Sequence, residues 1–517
     1  MNLAQLLSET AAQYPDKSAV IFEETVWTYR AFDEAVERYA ALLCALGIQK
    51  GDRVALQLPK SMEFLWFHFA ILSLGAVTLP LNPDYRPDET TYFLTDSGSV
   101  LYVADGDRYR SLDTALQNRP ELRVVLVDAP DIEGVVHLAE QLEQTPSGFQ
   151  RPYPTEGQDV AMICYTSGTT GRSKGAMISH RNLVSNLLAL SSAWEWTDKD
   201  VLLHVLPLFH VHGLNVAVHG SLYAGATLIL QKKFAPRAAW TTLETAQCTQ
   251  LMAVPTIYQR LLQSWETFLR KPNISAMRLF ISGSGPLSET QFLRFEQVTG
   301  FRILERYGMT ETGMIASNPI DPAQRQPKSV GFPLPGVEIR IVGVDGTDVV
   351  PGEVGEVWIW GDNVFLGYWQ MPEKTQEAFV DGWFCSGDLG FQDPQDSGRL
   401  YLVGRSKEVI ISGGLNVYPK EVEQVLERHD AVVEAAVVGL PDEDLGEQVA
   451  ANIVLRRTAD EIHPEQLMAH CKTYLASYKC PKYIIFTASL PRNAMGKIQR
   501  DRVVGGLQIA RTKAQIK

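Results

Sequence analysis

The residues best suited to chemistry form a loop rich in glycine and hydroxyls, YTSGTTGRSKG, at 165–175. Glycine leaves backbone N–H groups open to phosphate oxygens, hydroxyls add donors, and a lysine adds positive charge. Strand-like runs on both sides argue against a flexible linker, and the spacing differs from the P-loop of common NTPases. The loop predicts a polyphosphate site, whose candidates are Thr166, Ser167, Gly168, Thr169, Thr170, Gly171 and Lys174.

A second cluster, ERYGMTETG, occupies 305–313. The Tyr307 ring could stack on a base, and the Glu311 carboxylate could hold Mg²⁺ between phosphates. The alternative is that the TET segment only caps a helix.

Three further segments carry single candidates. Asp388, between glycines in WFCSGDLG, is either an Asx-turn or a carboxylate for the two hydroxyls of a ribose, which Arg405 could also reach. Gly413 and Gly414 would let a backbone lie close to a ligand. Lys497 in LPRNAMGKIQR is either solvated surface or a functional cation.

The elements that position these residues alternate along most of the first 400 residues. Short runs rich in branched side chains, such as RVALQLP and MRLFISGS, are separated by helical patterns such as YRAFDEAVERYAALLCALG. This alternation predicts layered α/β structure with largely parallel sheets. Antiparallel alternation over about 337–404 predicts a small β-barrel, and 407–517 predicts a compact α+β unit, with a domain boundary at 406/407.

Composition narrows the class of protein. With 517 residues, 45% hydrophobic, the chain is long enough for several domains. It has neither a signal peptide pattern nor an apolar run of membrane-spanning length. Six scattered cysteines without a CxxC pair fit a cytoplasmic protein. The net charge of −13 disfavours nucleic acid as a partner, despite ten basic residues against one acid from Gln466 onward.

These motifs, in this order, resemble the AMP-forming acyl-CoA synthetases, the superfamily that includes firefly luciferase and the adenylation domains of peptide synthetases. The resemblance covers essentially the whole chain. It implies that a carboxylate attacks the α-phosphorus of ATP·Mg²⁺ to give acyl-AMP, and that coenzyme A then displaces AMP. It also implies that the small C-terminal domain is mobile and rotates between the two steps.

The resemblance assigns roles residue by residue. It makes Glu311 and Thr166 the magnesium contacts, Lys497 the adenylation lysine and Lys407 the hinge, and it brings Gly413 and Gly414 to the pantetheine channel. The residues it places around the nucleotide are Ser284, Gly285, Pro286, Glu305, Arg306, Tyr307, Gly308, Thr310, Asp388 and Arg405.

The acid is less well defined. LPLFHVHGL and SVGFPLPGV are closest to malonyl-CoA synthetase-like members, with His210 at the gating position, and Arg260 or Arg294 would meet a second carboxylate. Otherwise Met309 and Met314 would line a pocket for a short or medium-chain, alicyclic or aromatic acid. Transfer of the acyl group to a carrier protein is a further alternative; a luciferase-like oxygenase and a non-catalytic relative are disfavoured. We expect no integral membrane association and leave a homodimer open.

Overall fold

The computed structural model describes residues 2–117, 119–166, 172–456, 462–493 and 497–515. The α-helices are α1 (Leu3–Gln13), α2 (Tyr29–Ala45), α3 (Met62–Ser73), α4 (Pro87–Ser97), α5 (Gly106–Gln117), α6 (Leu138–Gln144), α7 (His180–Ala193), α8 (His219–Tyr223), α9 (Pro236–Thr245), α10 (Pro255–Glu266), α11 (Glu289–Thr299), α12 (Pro372–Glu377), α13 (Pro419–Glu427), α14 (Pro464–Tyr474) and α15 (Arg500–Gln515).

The strands alternate with these helices along the chain. They are β1 (Ser18–Phe22), β2 (Thr25–Thr28), β3 (Arg53–Gln57), β4 (Val77–Pro80), β5 (Leu101–Ala104), β6 (Arg123–Leu126), β7 (Val136–His137), β8 (Val160–Thr166), β9 (Lys174–Ser179), β10 (Val201–His204), β11 (Thr227–Leu230), β12 (Gln250–Ala253), β13 (Leu279–Ser282), β14 (Leu304–Met309), β15 (Gly313–Ser317), β16 (Ser329–Pro333), β17 (Val337–Val342), β18 (Gly355–Gly361), β19 (Phe379–Val380), β20 (Trp383–Asp393), β21 (Arg399–Arg405), β22 (Ile410–Ser412), β23 (Leu415–Val417), β24 (Val432–Asp442), β25 (Gly446–Leu455) and β26 (Tyr483–Phe486).

The first sheet has the order β7-β6-β5-β3-β4-β8-β9. Its strands pair in parallel except for β8 and β9, which form an antiparallel hairpin. The long apolar run of α3 is buried against this part of the molecule, and every one of its residues except Glu63 is buried. Within the described residues, no helix is both long and apolar enough to cross a membrane.

The second sheet follows the order β17-β18-β20-β21-β16-β15-β14-β13-β12-β10-β11-β1-β2. From β1 through β14 the strands beside one another are parallel, as the alternation of strands and helices predicts. From β14 to β17 they are antiparallel. The antiparallel strands predicted for 337–404 are confirmed. They extend the second sheet, which ends at β17, and do not close into a separate barrel.

The C-terminal α+β unit has its own sheet and its own apolar core. The order is β23-β22-β25-β24, with β26 paired in parallel to β25. Val422 and Leu426 of α13 pack with Val437 and Ile453 of the sheet in this core. A turn at Ser406–Glu408 connects it to the large unit.

Candidate active site

Loops that follow neighbouring parallel strands carry many of the candidate residues. His210 follows β10, Ser284 follows β13, and Thr310 follows β14. Because the carboxyl ends of parallel strands meet at one edge of a sheet, these loops face a common crevice. The next strand, β15, runs antiparallel to β14, so the crevice lies where the sheet changes direction.

Asp388 lies inside β20, directly opposite Arg405 of β21, so it is not in the turn that an Asx-turn requires. Arg405 Nε lies 2.9 Å from Asp388 Oδ1. The Tyr307 hydroxyl donates to Asp388 Oδ2 at 2.6 Å. Burial and this carboxylate raise the pKa of Tyr307 far above its ordinary value. The arrangement fixes the orientation of a carboxylate whose oxygens can accept bonds from vicinal hydroxyls.

Thr166 and Lys174 form the last pair of the β8–β9 ladder, at the end nearest the connecting loop. The Lys174 ammonium lies 4.0 Å from the centre of the Tyr368 ring, and the Tyr368 hydroxyl donates to Glu311 Oε1 at 3.1 Å. A lysine and a carboxylate therefore flank one aromatic ring. The other loop candidates lie outside the described residues; they are Ser167, Gly168, Thr169, Thr170 and Gly171.

Thr310 and Glu311 occupy the turn between β14 and β15, so the helix-cap alternative for TET is wrong. In the part of the chain that the structure describes, no group of three acidic, histidine or cysteine side chains could hold a metal alone. One carboxylate beside the hairpin that is predicted to bind phosphate fits Mg²⁺, because Mg²⁺ is commonly bound by one or two carboxylates together with substrate phosphates.

We expect Tyr368→Phe to raise the Mg²⁺ concentration needed for half-maximal rate by roughly fivefold. The reason is the loss of one hydrogen bond to Glu311, worth about 1 kcal/mol. Magnesium titration of pyrophosphate release measures this. Tyr401→Phe, which loses a hydroxyl contact of 3.4 Å with Asp396, is the control. An unchanged magnesium requirement would separate Tyr368 from the metal.

A cavity of about 570 Å³ joins the crevice to the C-terminal unit. Lys497 lines it and is exposed to solvent, but partial desolvation and Arg405 lower the pKa of its ammonium, whereas Asp388 and Glu311 oppose that shift. The Lys497 side chain therefore borders the cavity, near enough to these charged groups of the large unit for them to shift its pKa. Other lining residues are Ser284, Gly285, Pro286, Glu305, Tyr307, Gly308, Asp388, Arg405 and Lys420.

One wall of the cavity is built from β14 and the loop after β13. Glu305 Oε1 accepts a bond of 3.0 Å from the backbone N–H of Leu287, while its other oxygen is buried without a protein partner. Burial raises the pKa of Glu305 to about 7, and Lys420 opposes the shift. Lys420 crosses from α13 and donates to the Leu402 carbonyl at 2.9 Å. A buried acceptor without a partner here suits an amino group of a base.

Arg306 occupies a second wall and is only 3% exposed. Its Nε and Nη2 are buried without a hydrogen-bond partner. It approaches the backbone so closely that a Cβ added to Gly283 would lie 2.3 Å from Arg306 Cζ. Burial lowers the pKa of Arg306 to about 9, so its guanidinium remains charged at neutral pH.

Two histidines line the same region. His212 Nδ1 lies 3.2 Å from Ser284 Oγ, and its Nε2 is buried without a partner. Burial, with Lys497 and Arg306, lowers the pKa of His210 to about 3, so this imidazole is neutral at neutral pH. Burial and Arg306 also lower the pKa of His212. The charge of Arg306 therefore disfavours protonation of both imidazole rings, so neither histidine would compete with Arg306 for an anion.

Other predicted residues lie elsewhere. Arg260 is exposed on α10 and is not among the residues that line the cavity. Arg294 lies at its rim, half-exposed and 2.9 Å from Glu266. Gly413 and Gly414 form the exposed turn between β22 and β23, with φ of 60° and 78°.

The remaining candidates divide between the connecting turn and the core. Lys407 is exposed in the Ser406–Glu408 turn; burial lowers the pKa of Lys174, and the charge of Lys407 adds to that shift. Met314 is buried in the core and Met309 is half-buried. Sequence reasoning missed Tyr368, Lys420 and Gly283, because each acts through a partner that is distant in sequence or on another strand.

Two family models cover most of the chain. The AMP-binding enzyme family matches residues 7–369, and the AMP-binding enzyme C-terminal domain matches residues 421–497. The order of the two matches agrees with the large and small units of the fold.

Curated relatives and solved structures match over nearly the full length. A sulfoacetate–CoA ligase of Cupriavidus necator is 35% identical, covering 96% of this chain and 96% of that one. The mitochondrial malonate–CoA ligase ACSF3 of Mus musculus is 34% identical, covering 98% and 91%. ATP-bound MatB of Rhodopseudomonas palustris has a TM-score of 0.90 and 40% identity over 98% of this chain and 99% of that one. This chain belongs to the AMP-binding enzyme family and is an AMP-forming acyl-CoA synthetase, an acid–thiol ligase.

Proposed function

We propose that this synthetase activates a small dicarboxylic acid, with malonate or methylmalonate as the leading member. One carboxylate attacks the α-phosphorus of ATP and displaces pyrophosphate, giving an acyl-AMP. The thiol of coenzyme A then attacks the acyl carbon, and AMP leaves as the thioester forms.

The main observation in favour of a dicarboxylic acid as substrate is the buried guanidinium of Arg306. A buried charge without a partner is costly, so it is expected to meet an anion in the working complex. Its fork of N–H donors suits a carboxylate, which it can bind through two parallel bonds. The neutral His210 and His212 add hydrogen-bonding groups without adding charge. A monocarboxylic acid would leave Arg306 unpaired.

The relatives support the same chemistry. Malonate and sulfoacetate both carry a second anionic group one carbon from the carboxylate that is activated. An arginine at the end of a short pocket would recognise either one. The tetrahedral sulfonate and the planar carboxylate differ in shape, so the panel of acids described below includes both.

The remaining residues of the site serve the phosphates and the ribose. Asp388 and Arg405 would bind the ribose, and Glu305 would accept a bond from the adenine amino group. Thr166, Lys174 and Glu311 would meet the outer phosphates and Mg²⁺, which when bound neutralises phosphate charge. Lys497 would lie between the attacking carboxylate and the α-phosphate, where negative charge collects in the transition state.

A panel of acids tests the proposal. Pyrophosphate release is measured with acetate, malonate, methylmalonate, succinate, sulfoacetate, octanoate and benzoate at matched concentrations. We expect malonate or methylmalonate to give the highest kcat/KM. Octanoate or benzoate above malonate would overturn the dicarboxylate and favour a fatty or aromatic acid. Release of pyrophosphate without formation of acyl-CoA would favour a carrier protein as acceptor.

We also propose that residues 1–406 and 407–517 form two domains that change orientation at Lys407 between the steps. Lys497 lines the same cavity as Tyr307, Asp388 and Arg405, which supports this arrangement as the one for the first step. Gly413 and Gly414 are exposed in this arrangement. In the second step their turn would approach the thiol arm, where a side chain would obstruct it.

Gly414→Leu is therefore expected to slow thioester formation from supplied acyl-AMP at least tenfold more than it slows adenylation. Gly414 has φ of 78°, and a leucine there also strains the backbone by about 1–2 kcal/mol. Gly382→Leu is the matched control, since Gly382 has φ of 82° and equally open surroundings. Equal slowing of both half-reactions by Gly414→Leu would contradict the assignment.

A further inference from the structure

The loop that carries Lys497 is closed at its base by backbone and side-chain bonds. Asn493 N–H donates to the Lys497 carbonyl at 2.9 Å, and Lys497 N–H donates to Asn493 Oδ1 at 3.0 Å. Arg492 and Ile498 form a β-bridge just outside this pair. The base of the loop is therefore a defined unit, and its position depends on what holds its two ends.

Arg500, three residues after Lys497, holds the C-terminal end. Its Nε lies 2.8 Å from Glu408 Oε2, and its Nη1 lies 2.8 Å from Glu423 Oε1. The same guanidinium donates to the Val437 carbonyl. The side chain is only 21% exposed. Two carboxylates and a carbonyl thus fix one guanidinium in both position and orientation.

The two carboxylates belong to different parts of the C-terminal unit. Glu423 is on α13, three residues after Lys420, which reaches across to the Leu402 carbonyl. Glu408 is in the turn that joins the two units, where the Ser406 hydroxyl donates to the Gly387 carbonyl at 3.2 Å. Arg500 therefore ties the lysine loop to the connecting turn and to the helix that faces the large unit.

The N-terminal end of the loop is held separately. Arg492 forms an ion pair with Glu434 of β24. Glu408, Glu423, Glu434, Arg492 and Arg500 all line the cavity that Lys497 also lines. The loop is thus supported at both ends by ion pairs on the wall of the active site.

A lysine side chain is long and flexible, so the position of its ammonium depends on how well the backbone that bears it is fixed. A displacement of about 1 Å at a reacting group can cost about 10²-fold in rate. We propose that Arg500 is a positioning residue that holds the Lys497 loop against the connecting turn and α13 for adenylation. The inference rests on the proposed role of Lys497 in the first half-reaction.

We expect Arg500→Met to lower the kcat of pyrophosphate release about 10- to 100-fold, with the KM for ATP little changed. Thioester formation from supplied acyl-AMP should stay within about twofold, since that step does not use Lys497. Arg500→Lys should restore part of the lost rate, because an ammonium can pair with one carboxylate but cannot bind two as a fork. Glu408→Gln should give a smaller loss, again confined to adenylation.

Two comparisons make the result decisive. Arg502→Met, on the exposed side of the same helix, should leave both half-reactions unchanged. Lys497→Ala is measured in parallel: if it shows no selective loss of adenylation, the proposed role of Lys497 fails. If Lys497→Ala shows that loss while Arg500→Met and Glu408→Gln leave adenylation intact or slow both half-reactions equally, Arg500 is not a positioning residue.

Discussion

Lys497→Ala is expected to lower the rate of adenylation by about 10²–10³-fold, the usual cost of removing one preorganised group that stabilises transition-state charge. Two anions, the carboxylate and the α-phosphate, must meet in this step. Lys497 lines the cavity, and Asp388, Glu311, Arg405 and Arg306 are near enough for their charges to shift the pKa of its ammonium. Pyrophosphate release under single-turnover conditions measures the loss directly.

The second half-reaction gives the internal control for this variant. Supplied acyl-AMP and coenzyme A should form thioester at a nearly normal rate, because the thiolate attacks a carbonyl and no pentavalent phosphorus forms. Lys482→Ala, an exposed lysine of the same unit, should change neither step. Equal loss of both half-reactions would show that Lys497 supports the C-terminal unit in general rather than the adenylation transition state.

The sequence predicts the frame of this site well because the signals for it are local. Short runs such as those at Gln250–Ala253 and Leu279–Ser282 are bounded by turn residues and become parallel strands. The loops that follow them must then meet at one edge, so Ser284, Thr310 and His210 come together by topology alone. Motif spacing likewise brings Asp388 and Arg405 into register, because the two lie on adjacent strands joined by a short connection.

The acyl pocket that we propose depends on packing between distant segments, which the sequence does not display. Arg260 and Arg294 look suitable as single residues, but helix α10 turns Arg260 to solvent and Arg294 pairs with Glu266. Arg306 stands in a motif that resembles a nucleotide site, where the sequence places it, and the carboxylate-binding role that we propose for it rests on its burial. Nothing in the sequence shows that Gly283 on the adjacent strand connection makes room for its guanidinium.

This burial is the reason we expect Arg306 to distinguish between acids. The Arg306 guanidinium is buried, and its Nε and Nη2 have no protein hydrogen-bond partner, which is unfavourable. A ligand anion that accepts hydrogen bonds from it would therefore gain binding free energy that an apolar group would not. Arg306 is on β14, and its charge lowers the pKa of both His210 and His212, so we expect these three side chains to face the same part of a bound acid.

Arg306→Met is expected to lower kcat/KM for malonate roughly 10²–10³-fold, since breaking a buried ion pair costs about 3–5 kcal/mol. The same variant should keep or raise the low activity with propionate or butyrate, because methionine fills the space without requiring an anion. The measurement is kcat/KM for both acids in each enzyme, so the ratio reports recognition even if overall activity falls.

Arg260→Met is the matched control, because it removes the same side chain from the exposed face of α10. It should leave the malonate-to-butyrate ratio unchanged. If Arg306→Met lowers kcat/KM for both acids by the same factor, Arg306 serves nucleotide binding or the stability of the fold and does not recognise the second carboxylate. A collapse of the ratio in Arg260→Met instead would place the second carboxylate on α10, and the pocket would then have to open toward the helix surface.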